Sequence, residues 1–224
     1  MTPDAHALLR LCQLVSPALP VGAYAYSQGL EYAVHAGWVT DEAGALDWLQ
    51  GLSRHAIGTL DLPILSRLHQ AWSRDDLPEV RRWNAQLLAS RETCELRAED
   101  IHLGRSLARV LLELNLSEAD GWLEADASFA GLFALATARW HISETDALSG
   151  YLWTWSENQV LAAVKLVPLG QSAGQRMLHR LIESMPQIVE RAQRLGDDEI
   201  CISAVSQALA SSLHESQYTR LFRS

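Results

Sequence analysis

Along most of the chain apolar residues return every three or four positions, and strict alternation is almost absent. That period belongs to helices with one buried face, so the pattern predicts an all-α protein. A short helix spans Asp4–Leu14 and stops at Ser16-Pro17, because the residue before a proline is pushed out of the helical region. A second runs from Ser27 to His35. Leu30, Val34 and Trp38 mark its expected buried side, with Glu31 and His35 opposite. Thr40 reads as an N-cap, with Asp41 and Glu42 in the first turn of a helix running towards Ile57. Asp61-Leu62-Pro63 and Asp76-Leu77-Pro78-Glu79 each read as a helix start with proline in the first turn. Arg91–Leu114 is long and charged on one side, and Ser117 and Ser143 read as further N-caps followed by acids. Gln171–Leu195 reads as one helix bent at Pro186, and Ile202–Leu213 as the last. Short breakers join these segments, with no long linker and no fixed repeat. The expectation is one all-α domain over residues 1–224, built from about eight to ten helices.

Composition narrows the classes. No run of about 20 apolar residues is present, so no membrane span is expected. The N-terminus lacks the basic start of a signal peptide, which predicts a cytoplasmic protein. The net charge of −9, from 18 basic and 27 acidic residues, argues against nucleic-acid binding. Cys12, Cys94 and Cys201 are odd in number and widely spaced, so they read as small buried or half-buried side chains rather than a disulfide framework. The tryptophans read as core packing, with Trp38 a candidate brace for the loop before it.

The motifs of chemistry are missing. There is no GxxxxGK[ST] phosphate loop, no GxGxxG, no GxSxG elbow, no HExxH and no CxxC. No catalytic residue, metal site or cofactor is therefore assigned. Glu31 and His35, four apart on a helix, could meet a metal ion, but two ligands are too few for a closed site and the spacing equally suits a surface contact.

Three blocks stand out instead. Leu19–Val39, LPVGAYAYSQGLEYAVHAGWV, places a Gly- and Tyr-rich loop on a helix start, and a loop that is costly to keep rigid usually has a task. Val164–Gln171, VKLVPLGQ, carries Lys165, the one lysine of the chain, near a helix C-terminus where a cation is favoured. It can snorkel there, or face a partner. His214–Ser224, HESQYTRLFRS, combines Tyr, Leu, Phe and Arg in a segment that should otherwise fray. Such anchors demand burial, and the free end is expected to have no docking surface of its own, so the tail at about 214–224 should dock on a partner, a second copy or both.

Together, and in this order, the blocks resemble the UreF family of urease accessory proteins, over a stretch from near Leu8 to the last residue. The resemblance implies an all-helical homodimer that acts as a non-enzymatic scaffold in maturation of nickel-dependent urease. It implies binding of a UreD-type (UreH-type) accessory protein, recruitment of the nickel-carrying GTPase UreG, and delivery to apo-urease for nickel insertion. Expected partner-binding residues are Tyr24, Ser27, Gln28 and Glu31 in the first block and Lys165 in the second. The third contributes His214, Glu215, Tyr218, Arg220, Leu221, Phe222 and Arg223. A second reading is a regulator that activates the GTPase through an arginine supplied in trans, with Arg220 and Arg223 as candidates. A third is an unrelated helical enzyme, which a pocket of titratable groups with perturbed pKa values would favour.

Overall fold

The structure, a computed structural model, describes residues 5–201 and 204–224. Among these every regular element is helical. The α-helices are α1 (Ala5–Leu14), α2 (Leu30–His35), α3 (Glu42–Leu52), α4 (Leu62–Ser73), α5 (Leu77–Ala89), α6 (Cys94–Glu113), α7 (Phe129–Arg139), α8 (Glu144–Leu166), α9 (Gln171–Ile182), α10 (Met185–Arg194) and α11 (Val205–His214).

Helix α7 is the axis of the fold. Its sequence, FAGLFALATAR, is apolar on every side, and all residues from Phe129 to Thr137 are buried. Ser128 caps it, its Oγ accepting from the Gly131 N–H at 3.0 Å. Helices α4, α5, α6 and α8 surround it. Trp72 of α4 donates its indole N–H to Gly131 O at 3.0 Å, so the largest buried ring is also satisfied. Gly104 lets α6 approach the chain entering α7. A Cβ there would stand 2.1 Å from Ala127 O. Outside this layer, α9 and α10 pack on α8, and α11 lies across α2 and α6. One hydrophobic cluster runs through all of it, from Ala7 to Phe222.

Several expectations change. Eleven α-helices are described rather than eight to ten. The stretch read as one bent helix is two, α9 and α10, because Pro186 occupies the first turn of a new helix. Conversely, no break separates α3 from α4. A π-helical stretch, Ser53–Asp61, joins them, and the Leu62 N–H bonds Ile57 O five residues back. Asp61 therefore caps nothing; its backbone is helical and its carboxylate turns inward. Asp41 rather than Thr40 caps α3, through the Gly44 N–H at 2.8 Å. Thr93 starts α6, leaving Arg91 outside it. Ser117 leads a 3-10 turn without a side-chain cap, whereas Asp76 and Ser143 cap as expected.

Trp38 is 48% exposed and packs edge-on against Tyr32, 5.7 Å away, instead of lining the core. All three cysteines are exposed, contrary to the buried reading. The starts expected at Asp4 and Ile202 lie outside the described residues. Among the described residues, no helix is long and apolar enough to cross a membrane.

Candidate functional site

The first and third sequence blocks meet. Residues 20–29 form a loop with a short 3-10 turn at Ala23–Ala25. Gln28 and Gly29 follow in left-handed conformation, with φ of 53° and 85°, and turn the chain into α2. Gly29 is required twice over: the left-handed backbone favours it, and a Cβ would sit 2.9 Å from the Ser211 amide of α11. Helix α11 can therefore lie directly on the start of α2. The tail leaves α11 at His214 and runs back along this junction.

A ladder of polar contacts closes the seam. The Ser27 N–H and Oγ–H both donate to Ser224 O, at 2.7 and 2.6 Å. The Arg223 N–H donates to Ala25 O at 2.9 Å. Glu31, expected on the solvent side of α2, is buried beneath the tail and accepts from the Leu221 and Phe222 N–H groups at 2.6 and 2.8 Å. Charge-assisted bonds of this kind are stronger than neutral ones. His35, its supposed neighbour on the same face, is exposed. Glu31 is instead paired with His214, whose Nε2 lies 3.2 Å from its Oε2. The other ring nitrogen of His214 stands 2.7 Å from Glu95 Oε2, and Arg220 donates to Glu95 Oε1 at 2.7 Å. The side chain of His214 is completely buried between the two carboxylates. Both ring nitrogens of His214 thus face a carboxylate oxygen.

A second layer lies deeper. Glu99, one turn along α6 from Glu95, accepts from Gln28 Nε2 at 2.8 Å and from the Ser224 hydroxyl at 2.7 Å. Gln28 in turn accepts from the Trp155 indole at 2.8 Å. Burial pushes the Glu99 carboxyl up to about 7, against those two hydrogen bonds and the charge of Arg91. Arg91 is shared by Asp61, at 2.6 Å, and Asp100, at 2.8 Å. Burial works against its charge, but the two aspartates hold it well above its ordinary value. Burial, then Asp61 and Asp100, push Tyr151 up. Asp100 also accepts from the Phe129 N–H at 2.7 Å, at the start of α7. A cavity of about 70 Å³ lies among these groups, with Gln159 on its wall. It has room for a few waters, far below the 300–1,000 Å³ or so of a ligand pocket.

The perturbed groups are thus committed to one another, and they read as a structural network rather than an acid–base pair facing a substrate. Among the described residues no group of three His, Cys, Asp or Glu side chains is placed to hold a metal ion.

The expected partner-binding residues divide into two kinds. Ser27, Gln28, Glu31, His214 and Phe222 are spent inside the seam. Glu215 accepts from the Cys94 N–H at 3.1 Å, and Lys165 lies over the Phe222 ring. Tyr24, Tyr218 and Leu221 project outward, with 65%, 102% and 68% exposure, and Arg223 is exposed beside the Tyr26 phenol. The free end does have a docking surface of its own, which corrects the earlier expectation: Phe222 is 6% and Ser224 1% exposed. Sequence reasoning missed Glu95, Glu99, Asp100 and Arg91. A signal existed for Glu99, which falls between Leu96 and Leu103 on the apolar stripe of α6.

The sequence model of the UreF family matches residues 39–182, which contains the Val164–Gln171 block. The urease accessory protein UreF of Alkalilimnicola ehrlichii is 52% identical over 216 residues, covering 96% of this chain and 95% of its own. Its counterpart in Teredinibacter turnerae is 50% identical, covering 98% and 99%. That of Hahella chejuensis is 47% identical, covering 97% and 98%. The chain belongs to the UreF family of urease accessory proteins.

Proposed function

We propose that this protein is a non-enzymatic scaffold of urease maturation, one 1–224 unit that works in the cytoplasm as a homodimer. It binds a UreD/UreH-type accessory protein through the seam, recruits a UreG-type GTPase, and brings both to apo-urease for nickel insertion. The observation that carries this reading is the docked tail. Beside it Tyr24, Tyr218 and Leu221 project outward, and tyrosine is among the residues enriched at interface hot spots.

The test is co-purification of the intact chain with the UreD-type protein, the GTPase and apo-urease. Tyr24→Ala and Tyr218→Ala are compared with wild type. Both variants should keep the melting temperature and lose capture; full capture by both would refute the seam as the binding surface. The activator reading is favoured by Arg223, which lies exposed at the rim. A GTP-turnover assay with and without this protein separates it from simple recruitment.

A further inference from the structure

Glu99 sits where three independent parts of the chain close. One carboxylate oxygen faces the Gln28 amide of the loop and the other the Ser224 hydroxyl of the tail. Both of these partners are neutral. The guanidinium of Arg91, the cation nearest in the buried layer, is already divided between Asp61 and Asp100. Two of three buried carboxyl groups thus hold the guanidinium, and the third, Glu99, has no ion-pair partner and is accommodated most cheaply without its charge. Opening the seam would remove two of the groups that shield Glu99 and admit water to it.

We infer that the tail is a proton-operated latch: residues 221–224 seat most firmly when Glu99 carries a proton and loosen when it ionises. Wherever a partner uses the seam, the latch then sets how much of the chain presents the seated surface.

The surrounding charges support the assignment to Glu99. Arg91 favours its ionised form and Asp100 opposes it. Glu92, Asp61 and Tyr151 line the same cavity, and Tyr26 of the loop feels the Glu99 charge with Arg223 of the tail beyond it. On α6, Glu95 is committed to His214 and Arg220, and Glu31 of α2 is committed to His214 and the tail amides. His102, a turn further along α6, is exposed beside Tyr26.

The sign follows from linkage. Seated, Glu99 titrates at about 7; released into water it returns towards 4.5. The seated state therefore binds more protons in that window. Seating is complete below it, weakens by up to about tenfold per pH unit through it, and is flat above it. The total effect is on the order of a hundredfold.

Hydrogen exchange on the full chain tests this, with rates at the Leu221, Phe222 and Arg223 amides expressed as protection factors to remove intrinsic base catalysis. From pH 5.5 to 8.5, wild-type protection should fall by at least tenfold and level off above neutrality. Glu99→Gln removes the charge while its carbonyl accepts from the Gln28 amide and its own amide donates to the Ser224 hydroxyl oxygen, and it should stay protected throughout. A flat wild-type profile would overturn the latch. So would a Glu99→Gln profile that still falls with pH, which would place the titrating group elsewhere. If Glu99→Gln does not fold, carbon-13 titration of the Glu99 carboxyl in the wild-type chain decides. An inflection near neutrality that moves with the tail amides supports the latch, and one in the ordinary carboxylate range refutes it.

Discussion

The ammonium of Lys165 lies 5.6 Å from the centre of the Phe222 ring. The one lysine of the chain, at the last turn of α8, therefore meets the one buried aromatic of the tail. The second sequence block is tied to the third by this contact, as the first is by Glu31. An exposed cation–π contact is worth about 0.5–1 kcal/mol, enough to bias the tail but not to hold the fold.

Lys165→Ala should accordingly leave the melting temperature nearly unchanged. It should lower protection of the Phe222 amide about two- to fivefold, in proportion to that energy. Lys165→Arg should restore the amide protection, since a guanidinium also stacks on a ring, yet it need not restore partner capture, because the two cations differ in shape and hydration. Hydrogen exchange and pull-down on the same preparations read out the two effects.

Gly22 and Gly29 form an internal control. Both have left-handed φ, 83° and 85°, but a Cβ at Gly22 meets nothing within 4 Å while one at Gly29 meets the α11 backbone. Gly22→Ala should cost about 1 kcal/mol from the backbone alone. Gly29→Ala should cost at least twice that and lift α11 from α2. Urea denaturation of the two variants measures the difference.

Removing the shared cation should be severe. Arg91→Met leaves Asp61 and Asp100 buried without their partner, a loss of about 3–5 kcal/mol. The unpaired aspartates resist ionisation, so the variant should recover stability as pH falls towards 5, opposite to the usual loss on acidification. Thermal melts across pH 5–8 would show the reversed slope.

Arg220→Ala should matter little to stability. Its guanidinium is 39% exposed and pairs with Glu95 inside the chain, a contact worth about 0–1 kcal/mol. Deleting Gln217–Ser224 should have a larger consequence. It strips Glu31 of two amide donors and uncovers Glu99, so the product should remain helical by circular dichroism but fail to capture the UreD-type protein. Undiminished capture would show the tail is dispensable.

The helical class, most boundaries and the two halves of the seam are legible in the sequence, because apolar spacing and caps are local. What hides is what depends on other segments. Helix α7 has no polar face, so it offers no stripe to read and disappears into the general hydrophobicity. Glu31 looks solvent-facing on its own helix, and only α11 and the tail bury it. Asp61-Leu62-Pro63 resembles a helix start, yet a preceding π-helical stretch carries the helix through it. The tail is recognisable as a segment that must dock. That its dock lies at Ser27, 197 residues away, is a tertiary fact with no local trace.

The π-helical stretch between α3 and α4 also acts as a phase shifter. Each residue wound into a wider turn rotates everything after it about the helix axis, so the apolar face of α4 need not continue that of α3. The Thr59 carbonyl leans out to accept the Cys201 N–H at 3.2 Å, and Asp61 arrives pointing at Arg91. Removing one residue from Ser53–Asp61 would let the rod relax to ordinary α-helix, with little change in helix content. It would also swing Asp61 and the α7-facing side of α4 by about 100°. The fold should therefore tolerate many substitutions in this stretch but no change in its length.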